Sequence, residues 1–202
     1  MKKIVTIPLL GLMLLATVAC EKTTKKEDSV ERAEEANKAK EGDRAMNTIK
    51  EDESAFMVHA ASGGMMEVEL GRLAETQASH PEVKAFGKTM VTDHTKANEE
   101  LKKLAADRNI TLPATVGNDE QKHIDKLRKL SGHDFDKEYM RMMVDDHEKD
   151  VNHFRKAAKD EEFDPAIKAF ASATLPVLEK HLEKARQVND MVENKKPQAN
   201  RK

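Results

Sequence analysis

Four stretches of this chain carry apolar residues at spacings of three and four, the repeat that lines up side chains along one face of an α-helix. The first runs from about Asp52 to Ala78 through Phe56, Ala60, Gly63, Leu70 and Ala74, with Gly63 and Gly64 weakening its middle. The second starts at Pro81, a residue suited to the first helical position, and runs to about Ala106 through Val83, Phe86, Met90, Ala97, Leu101 and Leu104. The third extends from near Asp134 to about Lys159 through Phe135, Tyr139, Met143, Val151, Phe154 and Ala158. The fourth opens on Asp164 and Pro165, a cap followed by a first-turn proline, and continues to about Val192. Pro176 lies inside it, removes one helical hydrogen bond and is expected to kink it. Ala, Glu, Lys, Leu and Met dominate, aromatics make up 3% and there is no Trp, so composition favours helices over sheets.

The links between these stretches differ in length. Ser79 and His80 make a tight break before Pro81, and the third and fourth helices are also closely joined. Between the second and third stands DRNITLPATVGNDE, where Pro113 and Gly117 stop regular structure before a short helix from about Asp119 to Leu130. Short, long and short links predict an all-α fold over residues 52–192, a four-helix bundle with one crossover connection, which is the ferritin-like connectivity. A simple up-down-up-down order with the short helix as a cap fits the same pattern.

The N-terminus follows other rules. Lys2 and Lys3 precede an apolar run from Ile4 to Ala19 that is short for a membrane span and reads as a secretory signal. It ends at Cys20, the only cysteine, behind Thr17, Val18 and Ala19, a sequence similar to the lipobox of bacterial lipoproteins although that box usually begins with Leu. Residues 1–19 are therefore expected to be removed and Cys20 to carry a lipid anchor, the alternative being an ordinary signal with an incidental cysteine. Acylation would leave no thiol for a disulfide, so stability must come from packing. Glu21 after the cysteine resembles the pattern of outer-membrane lipoproteins, and Lys26, Glu27 and Asp28 resemble a surface-export triplet; the expected location is the bacterial envelope, facing periplasm or cell surface. Residues 20–51 are highly charged and almost without large apolar side chains, which predicts a flexible tether with transient helix around Val30 to Lys40. A disordered tail is expected over residues 193–202. The net charge of -2 offers no basic field for nucleic acid.

Each long helix interrupts its apolar stripe with one polar residue: Glu67 in the first, His94 in the second within MVTDH, His147 in the third within MVDDH, and His181 in the fourth. Glu67 lies about 12 residues before the first tight turn and His94 about 14 after it, a difference of about 3 Å in height at 1.5 Å per residue. The same count leaves His147 and His181 about 7 Å out of level. A buried Glu with two or three His suits zinc, iron, manganese or copper. Met90 and Met143, each one turn before a stripe histidine, would add thioether donors for copper. A network of core histidines bonded to acids across helices, fixing helix register without metal, fits these residues too. Asp93 and Asp146 flank the stripe and are candidates to orient a histidine ring from a neighbouring helix, or simply solvated acids. No Gly-x-Ser-x-Gly, phosphate loop or catalytic cysteine occurs, which argues against nucleophilic catalysis.

The segments GGMMEVELGRLA, HPEVKAFGKTMVTDHTKANEELKKLA, FDKEYMRMMVDDHEKDVNHFRKAA and DPAIKAFASATLPVLEKHLEKAR together resemble the bacterial family called domain of unknown function 4142, of the ferritin-like superfamily. The resemblance covers about residues 54–190 and implies a ferritin-like bundle in an exported protein, with no established activity. Di-iron enzymes of that superfamily carry a Glu-x-x-His motif on each of two helices. Here the helices read Asp93-His94, Asp146-His147 and Glu179-x-His181, so oxygen-activating chemistry is not expected.

Overall fold

The computed structural model describes residues 28–41 and 50–194. Six helices hold most of them: α1 (Ser29–Glu41), α2 (Glu51–Gln77), α3 (Pro81–Asp107), α4 (Asn118–Leu127), α5 (Gly132–Lys159) and α6 (Pro165–Asn194). Among the described residues no strand forms, and the one bridge joins Ala78 to Gly132. The expected signal segment and Cys20 lie outside the described residues, as does the tail from residue 195 onward. No described helix is long and apolar enough to cross a membrane.

The long helices pair as the link lengths require. α2 packs along α3 and α5 along α6, and the two pairs meet through α2 on α5 and α3 on α6. The bridge between Ala78 and Gly132 sets the end of α2 level with the start of α5. Asp136, on the first turns of α5, accepts the backbone N–H of Ser79 and of His80, each at 3.0 Å, and the Ser79 hydroxyl. So α3 and α5 both start at the end where α2 finishes, and the long helices run up, down, down, up. The connection must climb the whole height of the molecule, which excludes the up-down-up-down order. It leaves α3 through Asn109, whose φ of 53° lets the Ile110 N–H reach back to the Ala105 carbonyl at 2.8 Å. It then carries α4, whose Ile124 and Leu127 are fully buried against the upper core. α6 continues through Pro176 as one helix.

The tether expected over residues 20–51 is corrected for its middle: α1 is a docked helix packed along α2. The Asn37 side chain donates to the Thr111 carbonyl at 2.9 Å and accepts the Thr111 N–H at 2.6 Å. Ser29 Oγ accepts from the Thr115 N–H at 3.3 Å, and Asp28 accepts from the Asn118 N–H at 3.0 Å. A tally of apolar side chains missed this, because α1 is held by polar side chains that satisfy the backbone of the 108–117 connection.

The core comes in two halves. The upper one joins Met66, Leu70, Phe86, Met90, Phe135, Tyr139, Met143, Ala185 and Val188. The lower one gathers Met57, Ala61, Leu101 and Ile167 beside Val151, Phe154, Ala171 and Leu178. On every long helix the polar stripe residue falls between a member of the upper half and a member of the lower.

Candidate metal centre

That intermediate layer brings Glu67, His94, His147 and His181 together, at relative exposures of 1%, 6%, 0% and 5%. The imidazole rings form a near-equilateral triangle, with centroids 5.8 Å apart for His94 and His147 and 5.4 Å for each of the other pairs. One nitrogen from each ring lies within 4.8 Å of one from each of the others. Tetrahedral zinc with nitrogens at 2.0–2.1 Å separates its donors by roughly 3.3 Å, so a modest inward movement would close this set around an ion. The residue count had left His181 out of level with His147; it assumes parallel axes and level helix ends, and it ignores the reach of the side chains.

The hydrogen bonds divide each ring into an occupied nitrogen and a bare one. His147 Nδ1 donates to the Met143 carbonyl at 2.9 Å; a carbonyl only accepts, so Nδ1 carries the proton and Nε2 presents a lone pair. His94 Nδ1 lies 2.8 Å from Glu67 Oε2, and His181 Nε2 lies 2.9 Å from Asp93 Oδ2. The remaining nitrogens, His94 Nε2, His147 Nε2 and His181 Nδ1, are buried without a partner. Metal-bound histidines show this division, one nitrogen on the ion and the other held by a carboxylate or carbonyl.

The charges are equally unfinished. Burial pushes the Glu67 carboxyl up to about 7, against a smaller opposing pull from His147. Burial pushes His94 and His147 down to about 4, and lowers His181 against the pull of Asp93. Among the described residues, Glu67 has ion contacts only with His94 and, at 3.4 Å, with His147, both neutral near pH 7, and its Oε1 has no hydrogen-bond partner. Near pH 7 this buried layer is thus poised between a protonated and an ionised Glu67, and a bound cation would favour the ionised form.

Of the two flanking acids, Asp93 reaches the His181 ring, whereas Asp146 faces a separate groove beside His123 and pairs with Lys149 at 3.4 Å. Met143 contributes its carbonyl. Sequence reasoning missed Tyr139 as a polar group: its buried hydroxyl is unpartnered and is held protonated by burial and then by the Glu67 charge. It also missed Asp150, one turn beyond Asp146, which lines a cavity of about 30 Å³ with Glu67 and His94. Its carboxyl is pushed well up, first by burial and then by Glu67 and Asp146. The i, i+4 relation of Asp146 and Asp150 on the helix of His147 was the available signal.

A family profile described as domain of unknown function (DUF4142) matches residues 36–188, most of the chain and all four polar stripe residues. The chain belongs to the DUF4142 family. The match begins inside α1, consistent with α1 as part of the folded unit. No curated protein and no solved structure matches this DUF4142 chain.

Proposed function

We propose that this DUF4142 protein is a cell-envelope lipoprotein, anchored to the outer membrane through Cys20, whose ferritin-like bundle binds one transition-metal ion for buffering or stress protection. The up, down, down, up order with one long crossover supports the ferritin-like reading. His94, His147 and His181 would hold the ion, and Glu67 would supply negative charge and orient His94. Imidazole donors suit zinc, copper or iron. The four long helices carry no Glu-x-x-His motif, the one in the chain being Glu120 to His123 on the short α4, which argues for holding an ion and against di-iron oxygen chemistry. Two observations carry the reading: three buried histidines from three helices each bring one ring nitrogen within 4.8 Å of one on the others, and each ring has one nitrogen engaged and one without a partner among the described residues.

The test is elemental analysis of the purified full chain. Near-stoichiometric metal is expected, lost in the His94→Ala, His147→Ala double variant. A metal-free wild type whose melting temperature responds to neither chelator nor added zinc, iron, manganese or copper refutes the proposal and leaves a non-catalytic structural module, its polar layer fixing helix register. For the anchor, Cys20→Ala should release the protein from the membrane fraction.

A further inference from the structure

The buried layer is closed to solvent, so an ion needs a way in. A groove of about 260 Å³ runs between α2 and α5, lined by Asp52, Phe56, His59, His153 and Asp160 with Asp150 at its floor. The cavity beside Glu67 and His94 lies directly behind it. Groove and cavity share three residues, Ala60, Asp150 and Phe154, and of these Asp150 alone carries a carboxyl that could ligate a cation. The side of the wall facing inward carries a buried, unpartnered carboxylate oxygen on Glu67 and a buried, unpartnered nitrogen on His94. On the outer side stand His59 and His153, and burial, then Lys156 and then His59, lowers the pKa of His153. His59 also pairs with Glu34 of α1 at 3.2 Å.

The alternatives are less suited to a cation. In the groove beside His123 four bases, Lys122, Lys126, Arg141 and Lys149, offset its four acids, and it shares no residue with the cavity. The groove over α2 and α3 meets the cavity only at Asn98, which is uncharged. By contrast the α2–α5 groove has three aspartates against one lysine, Lys156.

We infer that the α2–α5 groove is the route by which a divalent cation reaches the buried histidines, with His59 and His153 as an outer station and Asp150 as the carboxylate that passes the ion through the wall. The inference rests on the metal reading above. A residue on the route but outside the site speeds loading and release alike, so its loss slows both and leaves affinity unchanged.

The experiment follows cobalt(II) loading of the full chain by its visible absorption, release into excess chelator, and affinity by chelator competition. Asp150→Asn is expected to slow loading and release by about tenfold each, within the range that local charge sets for association rates, with affinity unchanged. The exposed His59→Gln, His153→Gln pair should slow loading in the same sense without risk to the fold, and His123→Gln should leave it unchanged. Wild-type loading rates in both the Asp150 and the double-histidine variants overturn the route while leaving the metal site intact. A weakened affinity at unchanged loading rate makes Asp150 a ligand and also overturns it. A wild type that takes up no cobalt overturns the route and the metal reading together.

Discussion

At Gly71 and Gly87 α2 and α3 approach too closely for a side chain, and three glycines on these helices make the crossing testable. A Cβ added at Gly87 would stand 2.6 Å from Ala74 Cβ and 2.8 Å from the Gly71 carbonyl oxygen. Carbon atoms pack at about 3.5–4.0 Å, so α3 would have to withdraw by about 1 Å from a neighbour that is itself backbone. Overpacking of this kind costs roughly 1–3 kcal/mol, the upper end applying where backbone must move, while replacing a helical glycine returns about 1 kcal/mol. Gly87→Ala should therefore destabilise by about 2 kcal/mol. Gly63 is the internal control: an added Cβ there meets nothing within 4 Å, so Gly63→Ala should stabilise by about 0.5–1 kcal/mol. At Gly64 the obstacle is the end of the Asn98 side chain, 2.3 Å away, which can swing aside and leaves the variant near neutral. At 2–4 °C per kcal/mol for a domain of this size, the Gly63 and Gly87 variants should melt about 6–10 °C apart in differential scanning calorimetry. Melting within 2 °C of each other would refute the close crossing, a threshold of about 1 kcal/mol. Gly87→Ala should also weaken metal binding, because Glu67 and His94 face each other across the interface that it opens.

Two further perturbations separate electrostatics from packing. The folded-state pKa of Glu67, about 7, lies above its unfolded value near 4.5, so the folded protein binds the extra proton and this residue's contribution to stability falls as pH rises between those values. Glu67→Gln should thus leave metal-free stability unchanged at pH 4, raise it by on the order of 3 kcal/mol at pH 8, and weaken metal binding by about 10–100-fold; urea midpoints at the two pH values and chelator competition check this, and a loss of stability at pH 8 would contradict it. Asp136 is 1% exposed and accepts three hydrogen bonds from Ser79 and His80. Asp136→Asn turns an amide donor toward those donors and should cost about 2–4 kcal/mol in urea unfolding, so a change under about 0.5 kcal/mol would show that the turn is held some other way.

The helices that sequence describes best are those with one face to solvent. On α3 and α5 the expected stripes are buried at Val83, Phe86, Met90, Leu101, Phe135, Tyr139, Met143, Val151 and Phe154 and only partly covered at Ala97, Leu104 and Ala158. On α2 the expected stripe holds at Leu70 and Ala74 but is displaced in the N-terminal half: Phe56, Ala60 and Gly63 are only partly covered, while Met57, Val58, Ala61, Gly64 and Met66 are buried. α2 has α1, α3, α4 and α5 around it, so it has little solvent-facing side and no single apolar phase to read. The helix of α1 was expected around Val30 to Lys40, but its docking was illegible, since its partners are the backbone groups of a loop more than 70 residues away in sequence.

The polar layer was legible because each member breaks an otherwise regular stripe, but sequence leaves open whether it fixes register or holds an ion. The hydrogen bonds bear on that choice. Register needs only partners between elements, and Glu67 with His94 and Asp93 with His181 already provide them. What register does not require is the remainder: His94 Nε2, His147 Nε2, His181 Nδ1 and Glu67 Oε1, all buried and unsatisfied. Each such atom costs about 1–3 kcal/mol, a heavy burden against a typical net stability of 5–15 kcal/mol. The cavity beside Glu67 and His94, at about 30 Å³, has room for water that would relieve those two. His147 and His181 do not line it. Replacing His147 by Leu would remove its bare nitrogen and preserve volume, so a structural layer predicts equal or greater stability and no other consequence. A metal layer predicts that the same variant loses the stabilisation that ligand linkage gives at 100 times the dissociation constant, about 2.7 kcal/mol. The melting temperature of His147→Leu with and without zinc therefore decides between the two readings, and it does so at a fully buried residue whose bare nitrogen has no hydrogen-bond partner among the described residues.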